Sequence, residues 1–150
     1  LCEDNAVPWI YGVKIDEDEA GDHVVVVRDL PEVQTSGDTR GEALALAADA
    51  IKVALASRMR HGEELDAPGR VAPGEVAVAL ELRLAAKATV YELWRRKGIS
   101  KSELGRLMGR SETEARRVLD PNHGTKFDHV AEAARALGAT LTIAVVPDAA

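Results

Sequence analysis

The 150 residues contain a single cysteine, Cys2. A lone thiol has no partner for a disulfide within the chain and cannot found a cysteine-ligated zinc site. Aromatic residues make up only 3% of the chain, so there is no surface on which unpaired bases would stack, and single-stranded nucleic acid is disfavoured as a ligand. No apolar run approaches the roughly 18 to 20 residues that cross a bilayer. The first twenty residues also lack the basic start and apolar stretch of a secretion signal. These absences describe a soluble cytosolic protein in a reducing compartment. His23, His61, His123 and His129 show no close pairing of the zinc-site kind, and no serine or cysteine stands in a nucleophile motif. No metal, cofactor or catalytic residue is expected.

What is present is enough for a core. Hydrophobic residues make up 46% of the chain, which suits one core or two small ones built from Val, Leu, Ile and Ala. The formal charge of −6 conceals a division: residues 1–82 carry 7 basic and 17 acidic side chains, net −10, whereas residues 83–150 carry 12 basic and 8 acidic, net +4. Such asymmetry implies two modules with different partners, residues 7–82 and residues 83–146, of which only the second suits phosphate.

In the acidic half, residues 7–15 read as a strand, the run 16–22 as a polar turn, and the β-branched block 24–27 as the return strand of a hairpin. Pro31 ends that strand by removing a donor, and a short third strand from Val33 precedes a Ser36-Gly37-Asp38 turn. Thr39 and Glu42 have capping-box spacing, which starts a helix running to about Arg58 with Leu44, Ala48, Ile51 and Leu55 as its apolar stripe. The stretch 61–74 is a loop, and residues 75–80 complete a β-β-β-α-β unit. The clustered acids of 16–22 lack the twelve-residue calcium-loop pattern and read as a solvated turn.

In the basic half, residues 84–97 form a helix that places Val90, Leu93 and Trp94 on one side and stops at Gly98. Ser100 with Glu103, and Ser111 with Glu114, then give two capping boxes eleven residues apart around Gly109, which is helix-turn-helix spacing. Leu104, Leu107 and Met108 are assigned inward in the first helix, with Gly105 allowing a close crossing. Ala115, Val118 and Leu119 are assigned inward in the second. That leaves Ser111, Thr113, Arg116 and Arg117 facing a DNA groove, with Lys101 and Lys126 at helix starts where backbone contacts occur. Glu112 and Glu114 put negative charge near this surface, and Arg110 occupies a turn position that normally holds an apolar residue. A helix over 127–137 stops at Gly138. The alternating residues 140–146 form a terminal strand that needs a partner, so Leu141, Ile143 and Val145 are assigned to dimerisation. A dimer would present two recognition helices about one DNA turn, roughly 34 Å, apart.

These features together resemble the HicB family of antitoxins over nearly all of the chain. The resemblance rests on residues 11–15 followed by the acidic hairpin, on Asp29-Leu30-Pro31-Glu32-Val33, on Gly37-Asp38-Thr39 leading into Glu42-Ala43-Leu44, and on Gly98-Ile99-Ser100-Lys101 with Ser111-Glu112-Thr113-Glu114. It implies an α+β chain in which a partial RNase H-like module lacking the catalytic acids precedes a helix-turn-helix domain with a dimerising terminal strand. It further implies that the first module neutralises a small basic HicA-like mRNA interferase toxin, that the second represses the shared operon, and that Asp29, Leu30, Pro31 and Glu32 touch the toxin. Two alternatives stand beside it. One is an orphan helix-turn-helix regulator without a toxin; the other is an RNase H-like nuclease, disfavoured because the acids crowd one turn instead of converging on a metal.

Overall fold

The computed structural model describes residues 8–145. Three strands come first, β1 (Ile10–Glu17), β2 (His23–Val27) and β3 (Gln34–Gly37), followed by helix α1 (Arg40–Arg60) and strand β4 (Val76–Ala79). Four further helices complete the chain: α2 (Leu82–Lys97), α3 (Lys101–Met108), α4 (Glu112–Leu119) and α5 (Phe127–Ala136). The sheet has the order β3-β2-β1-β4 and is antiparallel throughout. The chain is therefore α+β in the expected order.

The hairpin closes as the acidic run requires. Asp18 turns its carboxylate back to accept from the amides of Ala20 and Asp22, both at 2.9 Å, and Gly21 takes the left-handed conformation at φ 88° that an L side chain resists. Alternation along the strands puts Tyr11, Val13, Val25 and Val27 into the core, all at zero exposure, while Lys14 and Val26 are exposed.

Strand boundaries shift from those read in the sequence. β1 begins at Ile10 and runs on to Glu17; Val7 lies outside the described residues. β2 ends at Val27, four residues before Pro31, because a tight turn begins there: Leu30 N donates to Val27 O. β3 takes in Ser36 and Gly37, read in the sequence as a turn, since both have partners in β2. The stripe of α1 is also rotated. Ala43, Ala47, Ile51, Leu55 and Met59 are buried at a spacing of four, while Leu44 and Ala48 lie at the edge. The cause is close packing. A Cβ on Gly37 would stand 2.7 Å from Ala43 N, so the helix start is pressed onto β3 and only alanines fit beneath it.

Helix α2 joins the two halves. Its N-cap is Glu81, whose carboxylate accepts from the amides of Arg83 and Leu84, so the division read at residue 82 falls on a cap and not on a linker. Toward the sheet, Trp9 Nε1 donates to Thr89 Oγ1 at 2.8 Å, Leu65 N to Glu92 Oε1 at 2.8 Å, and Tyr91 OH to Glu63 O at 2.7 Å. One buried cluster runs from Trp9 through α1 and α2 to Leu137. No helix of the described residues is long and apolar enough to cross a membrane.

Candidate functional site

Two surfaces collect the chemistry, one built by α3, α4 and α5 and the other by α1 with the β2–β3 turn. In the first, Ser100 and Ser111 cap their helices as the sequence requires, accepting from the amides of Glu103 and Glu114, and at Ser111 the reciprocal bond from Ser111 N to Glu114 closes the box. Gly109 turns the chain at φ 66°. Gly105 allows the crossing: a Cβ there would lie 2.9 Å from the carbonyl oxygen of Ser111. Leu104, Ala115, Val118 and Leu119 are buried as expected, but Leu107 is 38% exposed and does not belong to the inward set. Gly105 supplies the inward contact on that turn of the eight-residue α3, so Leu107 is left on the opposite side.

Ser111, Thr113, Arg116 and Arg117 all lie exposed on α4 or at its start. Ser111 is partly occupied, because its hydroxyl holds the cap. Arg116 forms an ion pair with Glu112 one turn earlier, a surface contact worth at most about 1 kcal/mol and easily exchanged for a phosphate or base. Arg117 makes no ion pair among the described residues. Lys101 is partly covered and stands over the Trp94 ring at 5.8 Å, and Lys126 is exposed at the start of α5.

Arg110, anomalous in the sequence, holds the unit together. Its guanidinium donates to both oxygens of Glu132 on α5, at 2.6 and 3.1 Å, and to Glu114 on α4 at 3.0 Å. Glu114 is held below the ordinary value of 4.5 first by the amide of Ser111, then by Arg110 and the Ser111 hydroxyl; Glu132 is held below it by Arg110. Depressed carboxylates contribute stability that is whole above pH 4.5 and is lost as the pH falls through their lower folded values. Arg110→Met is therefore expected to reduce stability at pH 7 and to flatten the acid limb below pH 4.5. Thermal unfolding followed against pH checks this, and an unchanged limb would dissociate the arginine from the acid response.

Beneath α4 lies a residue that the sequence did not single out. Lys87 of α2 is fully buried, and its Nζ donates to the carbonyl oxygens of Arg117, Asp120 and His123 at 2.9, 2.6 and 2.7 Å. Three acceptors match the three protons of an ammonium. Burial pushes the group down from 10.5 to about 8, opposed by the nearby Asp120. Lys87 thereby adds a donor from within the core to Arg117 O in the last turn of α4 and to two carbonyls of the segment that follows, each of which also accepts from a backbone amide.

On the second surface, the four residues Asp29 to Glu32 divide. Leu30 is fully buried, so its side chain belongs to the core and offers a partner nothing. Asp29 accepts from Gly69 N at 2.9 Å and pairs with Arg28, which in turn holds Glu75 at 2.8 Å. Asp29 thus anchors the 61–74 loop. Pro31 and Glu32 are exposed, and Glu32 pairs with Arg58 of α1 at 2.7 Å. Glu32 also lines an open groove of about 600 Å³ between β3 and α1, whose other charged lining residues are Asp49, Glu63 and Arg58 and whose apolar ones include Val33, Ala50 and Val53. Val53 is 63% exposed. No group of three or more His, Cys, Asp or Glu side chains is placed to hold a metal ion among the described residues.

Residues 140–145, expected as part of a terminal strand, pair with no strand among the described residues, and Val146 lies outside them. Leu141 is half-buried against the core, whereas Ile143 and Val145 are exposed. Leu141 and Ile143 line an apolar cleft with Trp9, Leu80, Leu82 and Phe127 beside the edge strand β4.

Comparison with known proteins places these surfaces in context. Residues 10–89 match the family model described as the HicB-like antitoxin of bacterial toxin-antitoxin systems. The chain is 36% identical over 136 residues to antitoxin HicB 2 of Photorhabdus laumondii, covering 91% of this chain and 96% of the relative. It is 34% identical over 135 residues to antitoxin HicB 1 of the same organism, covering 90% and 86%. It is 29% identical over 136 residues to antitoxin HicB of Escherichia coli K12, covering 91% and 99%.

Proposed function

This chain belongs to the HicB-like antitoxin family, and on that premise we propose that it neutralises a small basic HicA-like RNA-cleaving toxin through its acidic module and represses its own operon through α3 and α4. The observation that carries the reading is the joining, through one helix, of an acidic groove and a basic helix pair. A toxin built to hold RNA phosphates is attracted to the half of net charge −10, where opposite charge speeds encounter and disfavours wrong partners. Pro31 and Glu32 contribute to that contact as exposed groups, and Asp29 by fixing the turn beneath them.

Operator contact is assigned to Thr113 and Arg116 in the groove and to Arg117 at its edge, with Ser111, Lys101 and Lys126 toward phosphates. Leu141, Ile143 and Val145 are assigned to pairing with a second copy, which would double the recognition helices and cover the exposed Ile143 and Val145. Native mass spectrometry of the gently purified protein is expected to show a small basic partner at fixed stoichiometry. Arg116→Ala with Arg117→Ala is expected to weaken binding to the promoter duplex by about 100-fold while leaving that complex intact. A bare homodimer, with partner expression confirmed, would leave only the repressor. Loss of both functions together would refute separate surfaces.

A further inference from the structure

We propose that the cleft between α4 and α5 seats a backbone phosphate of duplex DNA, a proposal that rests on the DNA-binding reading of α3 and α4 and gives the phosphate contact of Lys126 a seat shared with Arg117 and two histidines. The cleft is small, about 210 Å³, and is lined by Glu114 and Arg117 of α4, by the connecting residues His123 to Lys126, and by His129 of α5. It gathers four side chains able to donate to an anion: Arg117, His123, Lys126 and His129. Another cation stands close by, since Nη1 of Arg83 lies 4.0 Å from where a Cβ on Gly124 would be.

The charges around the cleft divide unequally in their freedom. Arg106, Arg110 and Arg116 are all engaged by carboxylates, whereas Arg117 and Lys126 are exposed and without an ion pair among the described residues. The one carboxylate lining the cleft, Glu114, is occupied by Ser111 and Arg110. Asp120 is turned to the amide of Asn122, and Asp128 lies exposed on the first turn of α5.

The backbone is arranged in the same sense. Lys87 draws the carbonyl oxygens of Arg117, Asp120 and His123 toward the core, and the buried Thr125 hydroxyl donates to Arg117 O at 3.0 Å. The negative ends of these peptide dipoles thus point at a buried ammonium and away from solvent. His123 is fixed against Thr125 Oγ1 at 3.0 Å. Gly124, with no side chain, leaves the mouth of the cleft open to the approach of a polymer backbone.

The test titrates the full-length protein with its own promoter duplex and with an unrelated duplex of equal length at several salt concentrations. Arg117→Ala and Lys126→Ala are each expected to weaken both duplexes by the same factor, about tenfold, and to lower the slope of log affinity against log salt by about 1. A loss confined to one sequence would make Arg117 a base reader and overturn the assignment, as would unchanged binding. In a second arm, inorganic phosphate is expected to move the ring signals of His123 and His129 saturably in the NMR spectrum of the wild type but not of Arg117→Ala, and duplex is expected to displace it. Phosphate binding that duplex fails to displace would assign the cleft to a small phosphate ligand and overturn the proposal. No movement of either ring would remove the site. If the wild type binds neither duplex, the DNA reading fails on its own evidence and the phosphate titration still decides the cleft.

Discussion

Lys87→Met is expected to lower the stability of the chain by about 3 kcal/mol, because the substitution keeps the length of the side chain but removes three buried hydrogen bonds from an ammonium, leaving the carbonyls of Arg117, Asp120 and His123 only their weaker neutral donors. A hydrogen bond from a charged donor contributes about 1.5 to 3 kcal/mol, and the loop that carries two of these carbonyls relaxes toward solvent and offsets part of the loss. For a chain of this size the loss corresponds to a fall in Tm of about 10 °C. The loosening is expected at the C-terminal end of α4 and in the 120–126 loop, since Arg117, Asp120 and His123 are the groups released. Hydrogen exchange should therefore rise there before it rises in the sheet. Duplex binding should fall with it, because Arg117 and Lys126 lose their common support, whereas toxin binding should survive at temperatures where the sheet remains folded. A variant of unchanged Tm would show that the carbonyls find water as readily as they find the ammonium.

The contrast between Lys87 and the caps shows which parts of this molecule are legible in its sequence. Thr39 with Glu42, and Ser111 with Glu114, are local devices: each hydroxyl accepts from an amide three residues on, and the carboxylate returns to the amide of Asp38 in the first case and of Ser111 in the second, so the helix starts are written where they act. The acidic hairpin is local for the same reason, with Asp18 organising its own turn. Lys87 acts across 30 to 36 residues on backbone groups, which carry no sequence signature at all. Within α2 it reads as one more polar residue of an amphipathic helix.

The same distinction explains the other differences. The stripe of α1 departs from its sequence pattern because the choice between Leu44 and Ala43 is made by the proximity of Gly37 on another element. Leu30 reads as part of a surface motif with Asp29, Pro31 and Glu32, yet the turn after β2 folds it fully into the core. Arg110 is visible as an irregular turn residue, but its reason, Glu132, lies 22 residues further on. Fold class and element order follow from periodicity and caps, whereas the groups that hold α4 against its neighbours come from tertiary pairing.

Val53→Arg is expected to weaken toxin binding by at least about 100-fold while leaving the fold and duplex binding unchanged. Val53 is 63% exposed on α1, so replacing it opens no cavity and buries no new charge in the free chain. It nevertheless lies in the groove lined by Glu32, Asp49 and Glu63 against the cation Arg58, itself paired with Glu32, the site at which an acidic module would grip a basic partner. The arginine acts there in two ways. It fills apolar space that a partner side chain would enter, and it sets a positive charge against a positive surface, a juxtaposition that costs several kcal/mol once the interface excludes water. The electrostatic part is expected to appear in the association rate and to shrink with salt, and the steric part in the dissociation rate, so surface plasmon resonance at two salt concentrations separates them. Val53→Ala is expected to change affinity by less than about tenfold, since it removes two methyl groups and adds no charge. If Val53→Arg binds the toxin as the wild type does, the groove lies outside the interface, and the contact must be sought on Pro31 and the acidic hairpin.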